Sequence, residues 1–185
     1  GFEIRTHDEL FRARQVVVAT GPFQVPFKPP AAQRLDSSVT QLHSAGYRNP
    51  QALPPGPVLV VGGGNSGFQI AEELAAAGRR VDLSIATRQP VLPQRLAGKD
   101  LFWWLTHLRL MRVSTGSRLG RRMSSRDFII GSSRRRLHKK GVRFRARLTG
   151  ANGRAVHFAD GSTLDAGVVI WATGYRPDYS WIHVP

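Results

Sequence analysis

The 185-residue sequence contains no cysteine. Disulfide staples, thiolate metal sites and a Cys-x-x-Cys redox couple are therefore excluded from this stretch of chain. Acidic residues are scarce as well, with 12 Asp and Glu against 27 Lys and Arg, for a net charge of +15. Long apolar runs are missing: Val58 to Val61 and Val168 to Trp171 fall far short of the roughly 20 residues that cross a bilayer, so no membrane partner is expected. The opening GFEIRTHDEL is mixed and charged and does not read as a secretory leader. These absences together suit a cytoplasmic protein. The six histidines lack metal-ligand spacing, and no metal is expected.

Much of the positive charge lies between Arg118 and Leu148, in RLGRRMSSRDFIIGSSRRRLHKKGVRFRARL. Such a patch attracts phosphate-rich partners. No nucleic-acid module accompanies it, so we read it as a solvated helix face and strand edge rather than a nucleic-acid surface. Its field also favours an anionic dinucleotide.

Apolar patterning predicts an α/β fold. GFEIRTH alternates as a half-buried strand does, and Val16 to Ala19 reads as a buried strand. The Pro- and Gly-rich GPFQVPFKPPAAQRLDSS is a connector, with a domain junction near Lys28 to Leu35, and NPQALPPGP leads into a strand at Val58 to Val61. Asn65 to Ala77 is helical, with Phe68, Ile70, Ala71, Leu74, Ala75 and Ala77 on one wide face and Gly78 as its stop. RRVDLSIATR returns as a strand, completing a βαβ unit. KDLFWWLTHLRLM predicts a helix with Leu101, Trp104, Leu105, Leu108 and Met111 on one side, and a further helix is expected from about Arg126 to Lys140. GVRFRARLTG, AVHFADG and VVIWATG read as strands, with tight turns at Asn152-Gly153 and Asp160-Gly161.

Gly62-x-Gly64-x-x-Gly67 sits between the strand and the helix of that unit, the context a dinucleotide site requires. Gly62 permits the tight turn, Gly64 lets the backbone approach a pyrophosphate, and Gly67 lets helix pack closely on strand. With Gly63, Asn65 and Ser66 these residues open a helix whose first N–H groups face the phosphates. An NAD site calls for Asp or Glu about 20 residues on, at the tip of the next strand. The strand instead ends SIATRQP, and Asp82 lies too early within it. NADP is therefore expected, with Arg88 as clamp on the 2′-phosphate and Thr87 as hydroxyl donor.

VVVATGPFQVPFKP, QLHSAGYRNP, VLVVGGGNSG, GKDLFWW and VVIWATGYRPDYSWI together resemble the class B flavin-dependent monooxygenases and their small bacterial flavin-containing monooxygenase-like relatives, from Val16 to Ile182. The resemblance implies a Rossmann-like parallel-sheet NADP-binding domain at residues 35–176. Strand pieces of an incomplete FAD-binding domain would occupy 1–34, and 177–185 would be a return linker. The chain would thus be an internal piece of a longer protein. The family fingerprint F-x-G-x-x-x-H-x-x-x-[YF] falls on Ser37 to Tyr47; His43 and Tyr47 match, whereas Ser37 replaces the Phe and Val39 the Gly. By resemblance, His43 and Tyr47 lie near the nicotinamide and its pyrophosphate, and Ala172, Thr173 and Gly174 close a nucleotide-binding unit. In that family NADPH reduces FAD, and the reduced flavin with oxygen oxygenates an N, S or ketone small-molecule substrate. A pyridine-nucleotide-dependent flavin reductase serving a partner protein, and a non-catalytic module binding NADP or polyanions, stand as alternatives. A homodimer is left open as an assembly. No catalytic residue is identifiable.

Overall fold

The computed structural model describes residues 1–87, 89–118, 120–121 and 128–184. The chain divides into two compact units, Gly1–Val25 with Tyr175–Pro185, and Pro26–Gly174.

The smaller unit holds a hairpin of β1 (Phe2–Arg5) and β2 (Leu10–Ala13), paired antiparallel from Phe2↔Ala13 to Arg5↔Leu10. Phe23 packs edge-on against Tyr175 with ring centroids 5.4 Å apart, and the Asp178 N–H donates to the Gln24 side chain. Val16 to Ala19 do not form the expected buried strand. They are irregular, and Val17 is 88% exposed. An apolar run becomes a strand only when a neighbour takes its backbone hydrogen bonds, and no described strand of this chain pairs with it.

The larger unit is built on a sheet whose strands, in chain order, begin with β3 (Thr40–His43) and β4 (Val58–Val61). Helix α1 (Asn65–Ala76) follows, then β5 (Val81–Ser84), the short β6 (Val91–Leu92) and helix α2 (Leu101–His107). After β7 (Ile129–Ile130) and helix α3 (Arg134–Lys139) come β8 (Arg143–Arg145), β9 (Leu148–Asn152), β10 (Ala155–Phe158), β11 (Thr163–Asp165) and β12 (Val168–Trp171). The main sheet runs β8-β5-β4-β12-β3, with every neighbouring pair parallel. Parallel strands covered on both faces read as continuous apolar runs, which is why VLVV and VVIW show no alternation.

Alternate residues nevertheless serve different layers. Val58, Val60, Val168 and Ile170 pack with Phe68, Ile70 and Leu74 of α1 and Leu137 of α3. Leu59, Val61, Val169 and Trp171 face the other way, against Ala151, Val156 and Phe158 of the antiparallel meander β9-β10-β11 and against Leu35 and Val39. Trp171 is fully buried, and its indole N–H donates to Gln41 Oε1 at 3.0 Å. The Pro-rich linker before β4 is gathered by Arg79, whose guanidinium donates to the carbonyls of Pro50, Pro54 and Gly56.

Three expectations are corrected in detail. The helix expected over Arg126 to Lys140 is confined to Arg134–Lys139, because Ile129–Ile130 pairs parallel with Val91–Leu92 and Ser133 caps α3 by accepting from the Arg136 N–H; Arg126 and Asp127 lie outside the described residues. Helix α2 ends at His107, where Arg109 turns left-handed (φ 56°), so Leu108 and Met111 are exposed rather than continuing its face. GVRFRARLTG is two strands in two sheets: β8 joins β5, while β9 starts the meander.

Candidate dinucleotide site

The site lies at the carboxyl ends of the adjacent parallel strands β4 and β12, the end at which open α/β sheets bind ligands. Gly62 continues the ladder past β4, donating to Ser84 O at 2.9 Å, while Ala172 N–H donates to Val61 O at 2.8 Å. The two chain ends touch. A Cβ on Gly62, whose φ is +135°, would stand 2.0 Å from Ala172 O, and one on Gly67 would stand 2.1 Å from Gly62 O. Both glycines are therefore required by the protein's own backbone. Gly63 is crowded by Ile85, with Cγ2 at 2.9 Å from the same construction. Gly64 differs: nothing lies within 4 Å of a Cβ there. Its φ of −85° suits any residue, and no side chain caps the helix it precedes. The first-turn N–H groups of α1 thus border open space, with the positive end of the helix dipole behind them.

Asn65 has another task. Its amide donates to Phe128 O and accepts from the Ile130 N–H, each at 2.8 Å, fastening the segment at β7 to the start of α1. Ser66 is exposed beside it.

Past β5, Thr87 is exposed and Arg88 lies outside the described residues. Asp82 is buried and bridged by Arg143 Nη2 at 2.6 Å and Arg145 Nε at 2.7 Å, so its carboxylate is not offered at the strand tip. Several cations of the Arg-rich stretch are engaged within the fold. Arg136 and Lys140 pair with Glu72, at 2.7 and 2.8 Å. Arg121 donates to Gly116 O, and Arg122 and Arg126 lie outside the described residues.

At the other strand end, Gly174 O accepts from the Phe27 N–H at 3.0 Å and from His43 Nε2 at 2.9 Å. Thr173 Oγ1 donates to Phe27 O. His43 Nδ1 accepts from the Ala45 N–H at 3.1 Å, which leaves Nε2 as the protonated nitrogen of a buried, neutral ring. His43, Thr173 and Gly174 are thus brought together beside Ala172 and Gly62. Tyr47 is placed elsewhere, packed against the core near Glu73 and Arg79. Glu73 sits two turns along α1 from the glycine turn, roughly 12 Å away at 1.5 Å per residue. The Tyr47 hydroxyl is buried beside the Glu73 carboxylate, and burial first, then the Glu73 charge, pushes it up to about 12.

The sequence marked an Arg-rich stretch but not which of its cations gather round one recess. A cavity of about 500 Å³ is lined by Ile85, Ala86, Phe144, Arg134, Arg145 and Arg147 among others. No short motif unites these arginines; the pairing of β8 with β5 does. Among the described residues no three His, Asp or Glu side chains are grouped as a metal site would need, and no helix is long and apolar enough to cross a membrane.

A glycine turn opening onto a helix N-terminus at the carboxyl end of a parallel sheet is an arrangement that suits a phosphate-bearing ligand. Residues 1–116 match the family model described as pyridine nucleotide-disulphide oxidoreductase, and the chain belongs to that family. It is 42% identical over 186 residues to an uncharacterized oxidoreductase, CzcO-like, of Geobacillus kaustophilus, a match covering 100% of this chain and 53% of that protein. It is 35% identical to the uncharacterized oxidoreductase CzcO of Bacillus subtilis, covering 99% and 53%. The chain therefore spans about half the length of the curated relatives it matches. Its fold resembles that of a flavin-containing monooxygenase from Stenotrophomonas maltophilia, with a TM-score of 0.68 and 24% identity over 96% of this chain and 48% of that one.

Proposed function

We propose that this chain is the NADPH-binding portion of an FAD-dependent oxidoreductase of the monooxygenase type. The observation that carries the reading is the contrast within the glycine turn. Gly62 and Gly67 are demanded by backbone contacts, whereas Gly64, the N-cap of α1, faces open space. A pyrophosphate accounts for a glycine at that position. The first-turn amides and Ser66 would hold it, and Thr87 with Arg88 would take the ribose phosphate. Asp82 is buried under two arginines and stands at no ribose hydroxyl, which favours NADPH over NADH.

The monooxygenase assignment draws on the likeness of fold to the Stenotrophomonas enzyme and on the motifs that resemble class B enzymes. When bound, NADPH and FAD supply hydride transfer and oxygen chemistry to a small molecule. The smaller unit has no second glycine turn among its described residues, and in this reading the FAD site belongs to the full-length protein. Val17 and Phe23, 88% and 77% exposed, are what a fragment of a larger sheet presents, which suits strand pieces of an FAD domain. This chain's own part is then to bind NADPH, with His43 fixing Gly174 at the strand end. We place the whole protein in the cytoplasm.

Calorimetric titration of the chain with NADP⁺ and NAD⁺ tests the reading. Binding with a preference for NADP⁺ is expected, and no heat from either at millimolar concentration overturns it. Anaerobic addition of NADPH to the full-length protein should bleach its flavin absorbance; a protein purified without flavin refutes the FAD half of the proposal.

A further inference from the structure

Among the described residues, only one edge of β7 meets a strand. Ile129 N–H donates to Pro90 O at 3.0 Å and Gly131 N–H to Leu92 O at 3.1 Å, both toward β6. Backbone groups alternate along a strand, so those of Phe128 and Ile130 face the other edge, where half-buried polar groups still need partners. The Asn65 carboxamide supplies them: Nδ2 donates to Phe128 O, and Oδ1 accepts from the Ile130 N–H, each at 2.8 Å. The side chain stands where the peptide group of a third strand would be. Asp, Ser and Ala cannot reproduce both bonds, because none carries an amide donor beside a carbonyl acceptor.

This tether joins two parts of the candidate site. Asn65 is the first residue of α1, directly after the Gly64 cap, so its own N–H is one of the orphan first-turn donors. On the other side of the turn, Ile85 Cγ2 and Thr87 O stand 2.9 and 3.6 Å from a Cβ built on Gly63. The chain thus leaves the glycine turn at Thr87, forms β6, and comes back to the turn at Phe128 and Ile130. Beyond β7 a second attachment holds it: Glu72 accepts from the Ser132 hydroxyl and pairs with Arg136 and Lys140. Ile129, 2% exposed, is set in the core. Loss of the Asn65 bonds therefore frees the end of the ribbon nearest the turn and leaves the rest in place.

Resting on the dinucleotide reading above, we infer that Asn65 is a positioning residue for the ligand. Its side chain holds the β6–β7 ribbon against α1 in the arrangement in which the glycine turn accepts a pyrophosphate, and does so without touching the ligand. Binding and ribbon docking are then one linked equilibrium. A ligand that takes only the docked form suppresses undocking, by about a hundredfold when present at a hundred times its Kd. A variant docked about one-tenth of the time binds roughly tenfold more weakly. Weakening of α1 itself does not enter, since Ala propagates a helix better than Asn.

The test uses the intact chain, with NADP⁺ as the probe. Amide hydrogen exchange of the parent is followed at Ile130, whose N–H reports the Asn65 bond directly, without NADP⁺ and at a hundredfold excess over Kd. Calorimetry then compares the parent with Asn65→Ala, after a circular dichroism melt has established that the variant is folded. The expected results are an Ile130 exchange slowed by up to about a hundredfold on binding, and an affinity of the variant reduced by roughly tenfold. Ile130 exchange that ignores NADP⁺ overturns the inference and leaves the dinucleotide site standing. A folded variant of parental affinity does the same, since Asn65 is then merely structural. Weaker binding by the variant combined with unmoved Ile130 exchange in the parent means direct contact with the ligand, and also overturns it. A parent chain that binds no NADP⁺ overturns both this inference and the dinucleotide reading. Should the variant fail to fold, the Ile130 measurement on the parent decides the matter.

Discussion

Replacing Gly62 and Gly64 by alanine, one at a time, separates what the glycine turn owes to folding from what it owes to a ligand. At Gly62 the new Cβ would lie 2.0 Å from Ala172 O and 2.6 Å from Ala172 C. Ordinary contact begins near 3.4 Å, so about 1.4 Å of movement is needed. Neither side yields easily, since Ala172 N–H is bonded to Val61 O and Gly62 N–H to Ser84 O. A φ of +135° adds strain of roughly 1–3 kcal/mol for an L-residue, and overpacking a rigid contact adds about 1–3 kcal/mol. Gly62→Ala should therefore cost roughly 2–6 kcal/mol, a large part of a typical domain's stability. At Gly64 the Cβ meets nothing, and the cost is that of Ala at an N-cap, about 1 kcal/mol or less. Urea denaturation followed by tryptophan fluorescence gives both stabilities, and calorimetry with NADP⁺ gives binding. The expected pattern is a Gly62 variant that is unstable and a Gly64 variant that is folded yet binds NADP⁺ at least tenfold more weakly. A Gly64 variant with parental affinity would falsify the placement of the pyrophosphate, and a Gly62 variant of parental stability would refute the contact with Ala172.

Arg79→Ala frees the carbonyls of Pro50, Pro54 and Gly56 together and should cost about 2–3 kcal/mol, on the scale of hydrogen bonds to a charged donor, read by urea denaturation. Asp82→Asn leaves Arg143 and Arg145, 43% and 25% exposed, without their buried counter-charge; a loss of roughly 1–3 kcal/mol is expected, and an unchanged melt would count against a structural role for the pair. Burial raises the Glu72 carboxyl, but hydrogen bonds from Lys140 and Ser132 and the charge of Arg136 outweigh it, so its pKa is lowered from 4.5. A depressed folded-state value means that its stabilisation is complete above the ordinary 4.5 and disappears as the pH falls through the lowered value. Glu72→Gln should accordingly lower stability at neutral pH and flatten the acid limb of the stability profile.

The parts of the fold that local pattern determines were legible in the sequence. VLVV, the three glycines, the apolar face from Phe68 to Leu74 and the stop at Gly78 lie within one stretch, and each signal agrees with the next. Val16 to Ala19 misled because strand propensity says nothing about whether a partner strand is present. The Arg126 to Lys140 expectation ran too far because basic residues propagate a helix as readily as they decorate a loop; Ser133, a residue suited to cap a helix, was the available sign of the true start. In the candidate site, the glycine turn and the ATG end at Ala172 to Gly174 were readable as motifs, and the contact between them was not. Tyr47 was drawn to the nicotinamide by a fingerprint, whereas the structure sets it beside Glu73. Arg134 and Arg147 were read only as part of an Arg-rich stretch, because their place beside Ile85 and Ala86 depends on the order of strands in the sheet and not on any local motif.

The contact between Gly62 and Ala172 also bears on how the sheet chooses its alignment. Strands β4 and β12 carry apolar residues toward both layers, so sliding one past the other exchanges one aliphatic side chain for another and meets little hydrophobic penalty. A two-residue slip keeps each side chain on its own face, so the alternation of layers does not by itself refuse it. A two-residue shift that brought Val60 opposite Ala172 would put a branched residue where the chain must take a φ of +135° against the Ala172 carbonyl, a position that admits no side chain. The glycine turn thus acts as a vernier mark, permitting the native pairing of Val61 with Trp171 and refusing its neighbours.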